Sequence, residues 1–450
     1  MIGSRATDEV GPGYPYPRGE QSAVAIFTVC LLLFVDTQLP LIGNSNRLVA
    51  VLILALLLFG RSGISTPFCA AIAFLLPVYF LVPPLVHPDV DARDFATVFV
   101  FQMACVGGML LLARALSTDY QRRQLTDMLI FFALAAATVA ILQRYGALGP
   151  LGRDRWGYAT TAFGHLRGAG FMADPNFLAV LLASVVPLAV NWRFTQLRWP
   201  AIVILGLGVN ATDSRAGILL AVLALALSMA GRLSSRRAAM SAKGQKFTAV
   251  VAVCLIALFA SNIGGQRDRA VEAVLIGVGI HDVVEGTADE AAAISARDRR
   301  ELLGSWVDVG VDSLPFGAGL GALDKIVTRA HTARAAHNTF ATTFAQGGVA
   351  GLLIGFTTLL CLVCFIRRRS EPFAIMGVIV VVGGLALSYP PVFLVLPMGL
   401  ADGIRAAQLG STARRGSPSP ASHDRTDLQA TQGSEAQPQP RSVDRRSPMN

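Results

Sequence analysis

Long apolar runs recur along this chain, and no other feature constrains its fold as strongly. They fall at residues 22–43, 46–60, 64–83, 95–114, 127–145, 176–192, 199–212, 214–230, 247–263, 338–366, 371–387 and 390–404, the second, seventh and last being short. A helix needs about 20 mostly apolar residues to cross a bilayer. The pattern therefore predicts an all-α polytopic membrane protein with about 12 transmembrane helices. Composition agrees, because only 15% of the 450 residues are charged and 53% are hydrophobic, whereas a soluble protein carries roughly 25% charged residues. So few charges cannot solvate a surface of this size, which excludes a water-soluble globular enzyme.

The net charge is nonetheless +9, and it is almost all arginine, with lysine only at 243, 246 and 325. A basic balance can serve nucleic acid, anionic lipid or a phosphorylated substrate, so position decides. Short connections hold Arg61, Arg114, Arg122, Arg123, Arg193, Arg198, Arg232, Arg236, Arg237, Lys243, Lys246 and Arg367 to Arg369. If the spans alternate, all of these share one side, which the positive-inside rule makes the cytoplasm. Both termini then lie inside, and no nucleic-acid partner is needed to explain the charge.

This orientation sets the expected domains. A cytoplasmic N-terminal tail covers 1–21, and spans one to nine occupy 22–263. A large, partly helical periplasmic loop covers 264–337, and three further spans occupy 338–405. A Ser/Pro/Gln/Arg-rich tail follows at 406–450, too poor in large apolar residues to bury a core and expected to be disordered. A shorter external segment spans 146–175. The first apolar stretch lacks a small-residue cleavage site and is read as a retained span. Cys30, Cys69, Cys105, Cys254, Cys361 and Cys364 all sit in apolar runs, where they read as packing residues and not as redox or metal groups.

Three places carry polar residues that topology does not explain. The first is His165-Leu-Arg167-Gly-Ala-Gly170-Phe-Met-Ala-Asp174-Pro-Asn176, directly before a span. Asp174 followed by proline is a helix-start pattern, whereas Arg167 among glycines at a membrane edge suits a phosphate. The second is Asn210-Ala-Thr-Asp213-Ser214-Arg215-Ala-Gly217, between two apolar runs, where a charge is costly unless paired or at the interface. An Asp213–Arg215 pair closing a helical hairpin is the structural alternative. The third closes the large loop: amphipathic patterning around Arg297–Val311 that includes Arg299 and Arg300, then Pro315-Phe-Gly317-Ala-Gly319, then His337-Asn338 entering a span. No strand precedes the glycines, so they make no dinucleotide motif, and a turn that lets backbone approach a ligand fits better. His337, with His331 as a weaker second choice, is placed to act as a general base beside a phosphate.

In order and spacing, these pieces make residues 160–365 resemble the O-antigen ligase and polymerase family of bacterial inner-membrane glycosyltransferases. The resemblance rests on Arg167 to Asn176, on Ser214-Arg215-Ala216, on the Arg-led loop helix with Pro315-Phe-Gly317-Ala-Gly319, and on His337-Asn338. Gly304 stands where the family's loop helix often has an aromatic residue. The resemblance implies an undecaprenyl-diphosphate-linked glycan donor, a glycan or lipid A-core acceptor, and a periplasmic active site in the inner membrane. It implies that Arg167, Arg215 and Arg300 (with Arg297 and Arg299 as alternatives) bind the diphosphate. His337 is implied as the catalytic base of a metal-independent inverting transfer with no cofactor. Asp174, Asn176, Ser214, Gly317, Gly319 and Asn338 support the site. Membrane lipids and other polysaccharide assembly proteins are the remaining expected partners. Ligase and polymerase, and O-antigen and exopolysaccharide, stay open. So do a transporter or flippase of a lipid-linked or anionic solute, and a non-catalytic membrane component of polysaccharide assembly.

Overall fold

The computed structural model describes residues 25–30, 38–39, 43–44, 75, 78–79, 82, 106–149, 167–172, 174–236, 290–319, 322, 325–327, 338–368, 371–386 and 392–416. The chain divides into two units, Met1–Ala407 and Gln408–Asn450. Among the described residues the secondary structure is helical apart from one antiparallel ladder of two residues a side. This ladder pairs β1 (Gln38–Leu39) with β2 (Gly43–Asn44). It lies inside the expected first span, so that helix stops short of Gln38. The expected spans at 46–60 and 247–263, and most of those at 64–83 and 95–114, lie outside the described residues.

The principal helices are α1 (Val106–Ser117), α2 (Asp119–Arg144), α3 (Pro175–Val190), α4 (Arg198–Ala211), α5 (Arg215–Arg236), α6 (Glu290–Asp312), α7 (Thr339–Arg367), α8 (Pro372–Ala386) and α9 (Val392–Gly416). Helices α2 and α7 are each long and apolar enough to cross a membrane. Helix α4, with 14 residues, spans about 21 Å at 1.5 Å per residue, less than the ~30 Å hydrocarbon core. Most helix ends match the apolar runs closely. Helix α2 starts eight residues before its run because its first turn is polar yet well capped. The Thr118 hydroxyl accepts from the Gln121 N–H, and Asp119 sits in the positive first turn. Helix α9 carries helical structure on to Gly416, beyond the expected start of the tail at 406.

Bonds between helices show that α2, α4 and α8 run one way and α3 and α5 the other. At one end Arg122, near the start of α2, meets Glu371 before α8, and Arg232 near the end of α5 meets Asn191 after α3. At the other end Gln143, near the end of α2, meets Ala169 and Gly170 before α3, and Gly168 meets Ala211 at the end of α4. Small residues allow this close packing. A Cβ on Gly208 of α4 would lie 2.5 Å from that of Ala137 in α2, and Gly217 of α5 abuts Ala179 of α3 equally tightly. Between apolar helices in lipid, such close van der Waals contact replaces the hydrophobic drive available in water.

Candidate functional site

The site is built on the end of the bundle where α2 and α4 finish and α3 and α5 begin. Asp174 caps α3: its backbone is extended, its carboxylate accepts from the Asn176 N–H at 2.7 Å, and Pro175 fills the first helical position. Ser214 does the equivalent for α5, its hydroxyl accepting from the Gly217 N–H at 3.3 Å. The three-residue link from α4 turns sharply at Asp213, which adopts φ 55°, a conformation that a short polar side chain tolerates better than most.

Arg167 joins these two helix starts. Its Nε donates to the Thr212 carbonyl and its Nη2 to Asn176 Oδ1, both at 2.9 Å. The neighbouring Gly168 N–H donates to the Ala211 carbonyl, also at 2.9 Å. The first two sequence motifs are therefore one structural unit, with the guanidinium as its link. A guanidinium has five N–H groups, and among the described residues Nη1 keeps both of its own free. Burial pushes Arg167 below its ordinary value, while the carboxylates of Asp174 and Asp213 oppose that shift and Arg144 adds to it. Burial likewise raises Asp174, against the lowering effect of the Asn176 N–H and Arg167. The local arrangement is a fixed cation held largely by neutral acceptors, with its charge not cancelled by a direct carboxylate pair.

Gln143 is a residue that the sequence reading missed. Its side-chain oxygen accepts from the Ala169 and Gly170 N–H groups at 2.9 and 2.8 Å, and its Nε2 donates to the carbonyls of Gly170 at 3.1 Å and Gly149 at 3.3 Å. A buried amide with all four positions satisfied fixes the Arg167 loop onto α2. The available signal was weak: one glutamine at the end of an apolar span, three residues before a glycine.

The third group makes contacts within the chain that its sequence does not announce. Gly317 and Gly319 have φ values of 79° and 61°, but the turn approaches backbone of the same chain. It plugs into a break in α7, where Gly348 has φ 53° and ψ −127°. The Ala318 N–H donates to the Ala345 carbonyl at 2.8 Å, and the Val349 N–H donates to the Pro315 carbonyl at 2.9 Å. These bonds satisfy groups that the break would otherwise orphan. A Cβ on Gly317 would collide with the backbone of Gln346 and Gly348, which is why both sides of this joint are glycine. Helix α6 rests on the same region through Leu302, Trp306 and Val309, which pack with Ala341 and Ala345 of α7.

Asn338 caps α7, accepting from the Phe340 and Ala341 N–H groups at 3.0 and 3.1 Å, and donates to the Leu385 carbonyl of α8 at 3.3 Å. Helix α8 in turn packs on α3 and α5, so the cap is connected to the Arg167 group through one intervening helix. The backbone at Arg215 opens α5, and that at Arg297, Arg299 and Arg300 lies in α6. Their side chains, together with His331 and His337, lie outside the described residues.

Compared with known families, residues 200–356 match the family model described as O-antigen ligase. The matched stretch begins in α4 and ends in α7. It therefore holds Ser214, Arg215, the arginines of α6, Gly317, Gly319, His337 and Asn338, whereas Arg167, Asp174 and Asn176 stand outside it, with Arg167 bonded onto it through the Thr212 carbonyl. No curated protein and no solved structure matches the chain.

Proposed function

We propose, from the premise that residues 200–356 are of the O-antigen ligase family, that this chain moves a glycan from undecaprenyl diphosphate to an acceptor hydroxyl at the outer face of the bacterial inner membrane. At the family level the chain is a glycosyltransferase-like membrane enzyme acting on a lipid-linked glycan and an acceptor. The finer reading assigns parts to its residues. Arg167, Arg215 and an arginine from the start of α6, Arg300 or its neighbours Arg297 and Arg299, would hold the diphosphate. The acceptor oxygen attacks the anomeric carbon as the bond from that carbon to the phosphate oxygen breaks. The bonding pair leaves with the diphosphate, and the hydroxyl proton passes to His337. Attack from the face opposite the leaving group inverts the anomeric centre. Guanidinium groups suit this task because they stay charged when desolvated and match phosphate oxygens in a planar, two-pronged way. The step as written routes through no metal ion.

One observation carries the reading: Arg167 is anchored to both Asn176 and Thr212 through neutral acceptors, beside the turn that leads into α5. An arginine needed only to staple two helices could be matched by a carboxylate, as happens elsewhere in this chain. Substituting His337→Ala tests the chemistry. Glycan transfer should fall on the order of 10²–10⁴-fold, the usual range for a lost general base, with the amount of protein in the membrane unchanged. Full activity would remove His337 from the mechanism. A deletion strain then divides the products. Single repeats on lipid A in place of long chains indicate a polymerase, and accumulated carrier-linked polymer indicates a ligase. Loss of secreted polymer with normal lipopolysaccharide indicates exopolysaccharide synthesis.

A further inference from the structure

A cavity of about 370 Å³ lies at the opposite end of the bundle from Arg167, and nothing in the transfer reaction uses it. It is walled by the start of α2, the end of α3 and the start of α8, and its size falls within the roughly 300–1,000 Å³ of small-molecule sites. Three arginines line it, and two are already matched. Arg122 donates to Asp119 and to Glu371, each at 2.9 Å. Arg193 pairs with Asp127, whose other carboxylate oxygen takes the Trp192 indole N–H at 2.7 Å.

Arg123 is the exception. It is exposed, and among the described residues it has no hydrogen-bond or ion-pair partner. The neutral polar groups of the wall are also engaged: Thr126 donates to the Arg122 carbonyl, while Asn191 donates to the Pro187 carbonyl and accepts from Arg232. Among the lining residues, Arg122, Arg123 and Arg193 stand against Asp127 and Glu371, leaving one positive charge in surplus. That surplus belongs to Arg123, which among the described residues is the lining arginine without an ion pair.

The surroundings suggest where a ligand would come from. The buried Trp192 ring meets Phe131 and Phe194 edge-on at 5.5 and 5.3 Å, and both phenylalanines are exposed. Arg193 also lies 4.6 Å over the Phe194 ring. Tryptophan and arginine side by side at the end of a membrane helix, as Trp192 and Arg193 are at the end of α3, suit the headgroup level of a bilayer. Basic pockets between membrane helices at that level suit anionic headgroups.

We propose that this cleft binds a singly charged phosphate ester through Arg123, supplied by the bilayer as the headgroup of an anionic phospholipid. The site does not depend on the glycosyl-transfer reading, and either can fail alone. The full-length protein, purified in mixed phosphatidylglycerol and phosphatidylcholine, is examined by native mass spectrometry for retained lipid. Phosphatidylglycerol should be retained in preference, and Arg123→Gln should weaken that retention about fivefold, the effect expected for one arginine at an anionic surface. Arg123→Lys keeps the charge and should keep the preference. Because Arg123 has no described partner, the thermal transition of Arg123→Gln in neutral lipid should match that of the parent. Equal retention of the two lipids, or retention unchanged by Arg123→Gln, overturns the site. Displacement of phosphatidylglycerol by millimolar inorganic phosphate overturns the lipid source and makes free phosphate the ligand.

Discussion

Arg122 and Arg193 at one end of the helix bundle are held by carboxylates, whereas Arg167 at the other is held by neutral acceptors. Of the three arginines lining the cavity, two are ion-paired, Arg122 with Asp119 and Glu371 and Arg193 with Asp127, and Arg123 is not, among the described residues. Around Arg167 the partners are a backbone carbonyl and an asparagine, and the nearby Asp174 carboxylate is occupied as a helix cap. A paired arginine spends its charge on the fold. One fixed by neutral acceptors keeps its charge available, and a low-dielectric setting makes that charge more effective. The contrast separates arginines that hold helices together from those that can meet a ligand, and sequence position alone does not make that separation.

The comparison breaks most visibly if the two arginines respond alike to substitution. Arg167→Gln should lower glycan transfer by roughly 10²–10³-fold, as removal of one preorganised charge donor does in other active sites. Membrane insertion, checked by the yield of folded protein, should persist. Next in size is Gln143→Leu, which strands the Ala169 and Gly170 N–H groups at about 1–3 kcal/mol for each buried unpaired group. We expect a lower thermal transition together with reduced transfer, because the Arg167 loop loses its fixing point. A transition lowered with transfer intact would mean that the loop's position is irrelevant to the reaction.

Gly348→Ala should cost about 1–3 kcal/mol from its positive φ alone, with a further clash against the Pro315 carbonyl. The measurement is thermal stability in detergent. The smallest effect belongs to the paired end. Arg122→Gln removes bonds to partners that are themselves partly exposed and should change stability by only about 0–1 kcal/mol. Transfer should be unchanged. A large loss of transfer in Arg122→Gln would erase the distinction between the ends.

Much of this was readable from the residues. Apolar runs located α3, α4, α7 and α8 to within a residue or so at most ends, because in a membrane chain the polar punctuation is sharp. Asp174-Pro175 announced its cap, since Asp and Pro each fit one position at a helix start. The union of Arg167 with the α4–α5 turn was not readable, because it depends on bonds between residues 45 positions apart. The role of Gln143 was hidden for the same reason. A turn at Gly317 and Gly319 could be expected from the glycines themselves, but not its neighbour within the chain. Local sequence shows that backbone must come close to something, and not that the something is the broken turn at Gly348.

The same close packing has a consequence for how the molecule tolerates change. Gly168, Gly170, Gly208 and Gly217 each leave room for nothing larger than hydrogen against Ala140, Ala136, Ala137 and Ala179. Saturation mutagenesis around Arg167 would therefore outline the site in relief. A ring of positions that reject volume would surround a few that reject loss of charge. Size, scored at silent alanines and glycines well away from any reacting atom, would trace the position of the guanidinium as clearly as substituting the arginine itself.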